Sequence, residues 1–147
     1  MARADLSVHF DRIERLVNEM DAFVPKDHKG VTEFRADLAG LLVVSIAASY
    51  ESCVKETLIN YASNCHTLFG QFTANNFEKL NSKISVSDLN RYTKLFDIGI
   101  NKKFKFNLSR RKARIDKRIG RNIESSYEQI LSWRHDFAHA GLRNTTI

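Results

Sequence analysis

Near its C-terminal end, the sequence has an arginine, two histidines and an aspartate within six residues, a set that can transfer protons and stabilise negative charge. Arg134 and His139 are five residues apart, and His135 and Asp136 lie between them. A histidine accepts or donates a proton near neutral pH. An arginine, which stays charged in proteins, presents a planar fork that fits phosphate oxygens. The segment could therefore transfer protons through His139 and stabilise negative charge through Arg134.

A long helix is predicted to position these residues. Its apolar side chains recur at steps of three and four residues from about Ser109 to about His139: Ile115, Ile119, Ile123, Tyr127, Ile130 and Phe137. Arg134 falls on the same face, between Ile130 and Phe137. Because an unpaired buried guanidinium is costly, we expect Arg134 to line a cleft or to meet a carboxylate such as Glu51 or Asp136.

The spacing of Arg134 and His139 adds a geometric condition. Five residues along a straight helix turn a side chain by about 140°, so the two side chains diverge. They can converge if the helix ends at His139, where Gly141 is a natural helix stop, or if two chains share one site.

Basic residues precede the Arg134 segment in the same predicted helix. Between Lys102 and Arg121 the sequence has ten basic residues and one acid, Asp116. Such a segment suits a polyanion such as nucleic acid or an anionic membrane surface, although a solvated helix face has the same composition. We name the candidate phosphate-binding residues the basic stripe: Arg110, Arg111, Arg114, Lys117, Arg118 and Arg121.

The rest of the chain is predicted to form a single all-α domain over residues 1–147. It has one proline and six glycines, too few turn residues for a sandwich or barrel. The predicted helices run over Ala4–Phe23, 33–66, 75–81 and from a cap at Ser87–Asp88. Gly99 is expected to break the chain. Phe104 and Phe106 are expected to anchor a loop on the core, although two aromatics among lysines could also stack bases. The middle of the second helix is apolar around most of its circumference, which makes it the candidate centre of a homodimer.

Composition also bears on location. Cys53 and Cys65 would lie about 18 Å apart on one helix, beyond the reach of a disulfide, so both are predicted to be reduced. The N-terminus lacks the apolar region of a secretory signal, and no stretch approaches 18 uninterrupted apolar residues. We therefore expect a soluble cytoplasmic protein.

The Arg134–His139 segment resembles a known family. Its R-x4-H pattern at the end of the last helix of an all-α domain is similar to the R-x4-6-H motif of HEPN ribonucleases. Residues 127–141 resemble the end of RiboL-PSP-type HEPN domains, and an acid at Glu51 on the apolar second helix fits the same pattern. Two features depart from it. The usual His-Gly is His139-Ala140-Gly141, and no tyrosine stands two residues after His139, unlike a subgroup whose tyrosine is modified by a nucleotidyltransferase.

The resemblance implies a bundle with two long antiparallel core helices, shorter helices between them and a homodimer in which two motifs face each other. It implies endoribonuclease activity without metal or cofactor, which leaves 2′,3′-cyclic phosphate and 5′-hydroxyl ends. His135 or Asp136 would orient Arg134 and His139, and Glu51 would fix Arg134. The family also implies a toxin of a toxin–antitoxin or phage-defence system, held in check by an inhibitory protein partner.

Other interpretations remain open. His135 and His139 have the spacing of metal ligands on a helix, although no third ligand follows at i+3 or i+4. A non-catalytic dimer could bind RNA or a protein through the basic stripe. A membrane-surface helix is disfavoured because the basic half lacks a broad apolar face. A serine or cysteine hydrolase is excluded because G-x-S-x-G is absent and both cysteines fall inside a predicted helix.

Overall fold

The structure is a computed structural model that describes residues 2–23, 31–78, 80 and 83–140. The side chains of residues 2–6, 21, 31–33, 139 and 140 lie outside this description. The described residues form six helices and no strand: α1 (Ala2–Phe23), α2 (Val31–Cys65), α3 (Thr67–Phe77), α4 (Val86–Phe96), α5 (Ile98–Ile119) and α6 (Ile123–Ala140). The all-α prediction is confirmed.

Helices α2 and α6 pack side by side in opposite directions. Along α2, Gly40 meets the ring of Phe137, and Tyr50 meets the ring of Tyr127 ten residues later. The contacts thus advance along α2 while they retreat along α6, which makes the pair antiparallel. Gly40 allows the approach, since a Cβ there would overlap the Phe137 ring. The predicted antiparallel pair of core helices is present as α2 and α6, and helices α3, α4 and α5 come between them in the chain.

The prediction of one helix from Ser109 to His139 is wrong. Gly120 ends α5 in the left-handed region, at φ 62° and ψ 27°, and its N–H donates to the Asp116 carbonyl at 2.8 Å. Asn122 then accepts a hydrogen bond from the backbone N–H of Glu124 at 3.1 Å and so begins α6. A glycine in this conformation is a common helix terminator because it has no Cβ to clash.

The intervening helices also differ from their predicted bounds. Helix α3 spans Thr67–Phe77 rather than 75–81, and the ring nitrogen Nδ1 of His66 caps it by accepting from Leu68 N–H. Helix α4 is capped by Ser85 and Asp88 in a reciprocal capping box, rather than by Ser87. Gly99 does not break the chain, because Asp97 caps α5 directly before it. Phe104 and Phe106 are therefore helical.

A small core joins α6 to the segment before α4. Ile84 and Tyr92 are buried together with Leu80, and Leu131 of α6 packs against them. The Tyr127 hydroxyl donates to the Ile84 carbonyl at 2.6 Å, and Glu128 accepts from Val86 N–H at 2.8 Å. These bonds fix the rotation of α6 about its own axis.

Helix α2 has one buried side and one exposed side. Val43 and Ala47 are buried, whereas Leu41 is 53% exposed. By length and composition alone, Phe34–Cys65 could cross a membrane, but the core helix of a soluble protein passes the same test. This stretch contains five charged residues, Arg35, Asp37, Glu51, Lys55 and Glu56. The fold is thus compatible with a soluble protein.

The remaining sequence predictions concern the ends of helices and the two cysteines. Helix α1 ends at Phe23, two residues before Pro25, and Pro25 lies outside the described residues, as does Gly141. Cys53 is half-buried and Cys65 is exposed, both as free thiols.

Candidate functional site

A cleft between α2 and α6 brings together three of the predicted site residues. Its volume is about 180 Å³. Glu51 from α2 and Arg134 and His135 from α6 line it, beside the apolar side chains of Ala47, Ile84 and Leu131. We call it the motif cleft. It combines a carboxylate, a permanent cation and an imidazole in a partly apolar wall.

Helical spacing explains this arrangement. Ala47 and Glu51 are four residues apart on α2, and Leu131 and Arg134 are three apart on α6, so each pair shares one helix face. Leu131 anchors its face in the core, and Arg134 one turn later is consequently half-buried. Glu51 is half-buried as well. The phase of the helix therefore directs Arg134 toward α2, as its place in the apolar series predicts.

Two other predicted residues are not placed in this cleft. Asp136 is half-buried and is not among the described residues that line it. His139 lies in the last turn of α6, but its side chain is outside the described ones. Because α6 continues to Ala140, positions 134 and 139 are about 140° apart around the helix.

The basic stripe lies on a different helix from Arg134. All six of its residues are exposed, five on α5 and Arg121 just after Gly120. The expectation that the stripe shares a helix with the motif is therefore wrong. Phe106 was expected to anchor a loop on the core, but it is helical, 62% exposed and 5.6 Å from the Arg110 guanidinium that lies over its ring.

Burial keeps several groups near the cleft in their neutral forms. The rings of Tyr50 and Tyr127 lie 5.4 Å apart. Burial is the main cause that raises the pKa of both phenols above the ordinary value, and the charge of Glu128 adds to the effect at Tyr127. Burial likewise raises the pKa of the Cys53 thiol. A raised thiol pKa disfavours the nucleophilic thiolate, in line with the exclusion of a cysteine hydrolase.

Sequence reasoning missed the residues that hold α6 in place. Tyr127 was assigned only to an apolar series, and Glu128 and Glu124 were not singled out. Glu124 pairs with Lys112 of α5 at 2.8 Å, and Glu128 caps α4. No local signal could have revealed the Glu128 contact, because its partner is a backbone N–H 42 residues away in the sequence.

The metal hypothesis concerns a pair that the structure describes only in part. Among the described side chains, no group of three or more His, Cys, Asp or Glu residues could hold a metal ion. The proposed ligand pair His135 and His139 includes a side chain outside that set.

Comparison with known proteins identifies the family. The model of the RiboL-PSP-HEPN family matches residues 9–147. Neither a search of curated proteins nor a search of solved structures gives a match to this chain. The matched region includes Glu51 on α2, the whole basic stripe and the Arg134–His139 segment. The chain therefore belongs to the RiboL-PSP-HEPN family.

Proposed function

We propose that the protein is an endoribonuclease that needs no metal or cofactor and leaves 2′,3′-cyclic phosphate and 5′-hydroxyl ends. Family membership indicates an RNA-related, ribonuclease-type function. The observation that carries the specific proposal is the motif cleft, where Arg134 and His135 of α6 share one cavity with Glu51 of α2.

The proposed reaction uses the RNA as its own nucleophile. The 2′-hydroxyl oxygen attacks the adjacent phosphorus, the bond from phosphorus to the 5′-oxygen breaks, and the proton of the hydroxyl must be removed. His139 accepts this proton, because a histidine can do so near neutral pH. Arg134 binds the nonbridging oxygens as negative charge develops on the phosphorane. Glu51 is a positioning residue for the guanidinium, and His135 is a further polar group at the cleft wall.

A second proton donor is needed for the departing 5′-oxygen. We propose that the partner subunit's His139 supplies it in a homodimer with two facing motifs. Two features support a shared site. Positions 134 and 139 diverge around α6. Helix α2, which forms one wall of the motif cleft, also has an exposed apolar side that includes Leu41.

Cleavage of a mixed RNA pool in the presence of EDTA tests the activity. Wild type should produce cyclic phosphate ends, and His139→Ala should lose cleavage while it still binds RNA. His66→Asn is a matched control, because position 66 lies about 22 Å farther along the α2 axis than Glu51 and asparagine retains the cap of α3. Cleavage that disappears with EDTA and returns with a divalent ion would support the metal hypothesis instead.

The shared site has its own test. When wild type is unfolded and refolded with an excess of His139→Ala, the mixed dimers should be inactive, because they have one His139 where the proposed reaction uses two. Mixed dimers that keep about half of the wild-type rate, while sedimentation shows that they have formed, would contradict a shared site.

The proposed cellular role is that of a toxin or defence effector under the control of an inhibitory protein. Induced expression of the wild-type chain in a bacterial host should arrest growth, and His139→Ala should not. Equal growth of the two strains at equal protein levels would refute this role.

The exposure of all six residues of the basic stripe favours one alternative, a non-catalytic dimer that binds RNA or a protein. On this alternative, wild type and His139→Ala show the same background in the cleavage assay, and both lose RNA binding when Arg114 and Arg118 are replaced by glutamine.

A further inference from the structure

A second and larger cavity lies on the same face of α6 as the motif cleft, nearer the start of that helix. It is an open groove of about 700 Å³, within the size range of ligand sites. Helix α5 forms one wall through Phe104, Leu108, Ile115 and Ile119, and α6 forms the other through residues that include Ile123 and Ile130. We call it the apolar groove. The catalytic proposal assigns it no role.

The groove has the length and shape of a helix-binding site. Its wall on α5 extends from Phe104 to Ile119, which is about 22 Å or four helical turns. The side chains that line this wall recur at four and seven residues, so they form one continuous stripe. An amphipathic helix with apolar residues at i, i+3, i+4 and i+7 presents a matching stripe.

The rim of the groove determines the charge of its occupant. Arg121 lines the groove itself. Arg111 and Arg118 are exposed and lie on the flank of the α5 stripe, one helical turn from Ile115. Of the acids near the groove, Glu124 pairs with Lys112 and Glu128 accepts from Val86 N–H. Asp116 is exposed on the opposite flank of the α5 stripe from Arg111 and Arg118. The flank of the rim that carries these two arginines is therefore basic.

We propose that the apolar groove binds an acidic amphipathic helix of a protein partner. The apolar stripe of that helix packs between α5 and α6, and its carboxylates pair with Arg111, Arg118 and Arg121. Because these arginines belong to the basic stripe, the bound helix also competes with RNA. Only this competition depends on the proposed function; the helix binding does not.

A display library tests the binding directly. The library contains 18-residue helices with leucine fixed in an i, i+3, i+4, i+7 pattern and with the other positions varied among Glu, Lys, Gln and Ala. Selection on the wild-type protein should enrich glutamate over lysine. The affinity of the selected peptide, measured by fluorescence anisotropy, should fall as salt increases.

Two matched variants locate the binding site. Ile119 is 65% exposed in the groove wall, and Ile98 is 69% exposed at the opposite end of the same helix. Ile119→Gln should weaken the selected peptide by about tenfold, and Ile98→Gln should leave it unchanged. Arg121→Gln should reduce the preference for glutamate over lysine.

Three results would overturn the proposal. The library could enrich lysine or show no preference, or both isoleucine variants could bind alike. Thirdly, Ile119→Gln could convert a dimer into a monomer while no peptide binds, which would show a second copy of the chain in the groove. A protein that binds the peptide but cleaves no RNA would refute only the proposed function.

Discussion

Arg134 illustrates how a single residue can be positioned by the core without belonging to it. It follows Leu131 by three residues on α6, and Leu131 packs in the buried cluster around Ile84. The guanidinium consequently lines a cleft with an apolar floor rather than facing bulk water. In such surroundings an electrostatic contact to a developing charge is stronger than in water, which is the basis of its proposed role.

Replacement of Arg134 by lysine tests whether the guanidinium fork matters beyond its charge. We expect Arg134→Lys to lower the single-turnover cleavage rate by about 10²-fold, with RNA affinity nearly unchanged. Arg15→Lys, an exposed exchange on α1, is the control and should cleave like wild type. Equal rates for both variants would mean that Arg134 supplies charge alone.

Tyr127 should make the stability of the protein depend on pH in the alkaline range. Burial raises the pKa of its phenol above the ordinary value of about 10. The folded state thus favours the protonated phenol, and this contribution is complete below pH 10 and lost as the pH rises further. Tyr127→Phe should cost about 1 kcal/mol at pH 7, through the lost bond to the Ile84 carbonyl.

Urea unfolding at pH 7 and at pH 10.5 checks this prediction. The free energy of unfolding should decline less between the two values for Tyr127→Phe than for wild type. Some decline should persist, because the pKa of Tyr50 is raised as well. Parallel declines would show that Tyr127 ionises as easily in the folded chain as in the unfolded one.

At this scale the sequence alone predicted the features that helical phase determines. The face of Arg134 depends on a period of 3.6 residues, which the apolar positions reveal, and that face borders the same cavity as Glu51. Asp136 was assigned to the site because it is two residues from Arg134 in the sequence, and helical phase does not support that assignment. Two residues farther along a helix, a side chain points about 200° away.

At the scale of secondary-structure elements, glycines had different roles that composition could not distinguish. The steps from Ile115 to Ile119, Ile123 and Tyr127 are all four residues, so the apolar pattern continues across the end of α5. The left-handed backbone of Gly120 and the cap at Asn122 separate α5 from α6. The bounds of α1 and α2, in contrast, were close to the prediction because Phe23 and Val31 flank a segment rich in charge, proline and glycine.

Gly40 is the contact on which the α2–α6 pair depends. An added Cβ would overlap the Phe137 ring, and overpacking of this kind costs about 1–3 kcal/mol. This overpacking cost should outweigh the roughly 1 kcal/mol by which alanine stabilises a helix relative to glycine. Gly40→Ala should therefore lower the free energy of unfolding in urea, and it should reduce cleavage by displacing the turn after Arg134.

A double-mutant cycle makes that prediction specific. In a Phe137→Leu background, the smaller side chain should tolerate the new methyl group, so Gly40→Ala should cost less than it does in wild type. Additive costs would show that the two positions do not meet.

At the scale of the whole molecule, the basic stripe and the Arg134–His139 segment lie on different helices. The basic stripe is on α5, the motif is on α6, and the Lys112–Glu124 ion pair joins the two helices near the turn at Gly120. Composition predicted the charge and the helical class, and it could not predict that the charge and the motif belong to different helices.

The basic stripe should dominate the salt dependence of RNA binding. Each phosphate contact contributes about 0.7 to the slope of log affinity against log salt concentration for single strands. Replacement of Arg114 and Arg118 by glutamine should thus reduce the magnitude of that slope by roughly 1.4. Arg134→Lys retains its charge and should keep the wild-type slope. Titrations at several salt concentrations provide the measurement, and an unchanged slope in the double variant would place the RNA elsewhere.

If the protein cleaves RNA as proposed, the small volume of the motif cleft bears on which RNA it would cut. At about 180 Å³, it is smaller than the roughly 300 Å³ at which pockets for whole small molecules begin. One subunit's cleft therefore has room for a phosphodiester and its nearest atoms, but not for a whole nucleotide. If the phosphodiester occupies this cavity, as the proposed function requires, the adjacent base lies outside it and forms few hydrogen bonds with the described residues that line it. The choice of cleavage position should then follow the flexibility and accessibility of the RNA strand rather than its sequence.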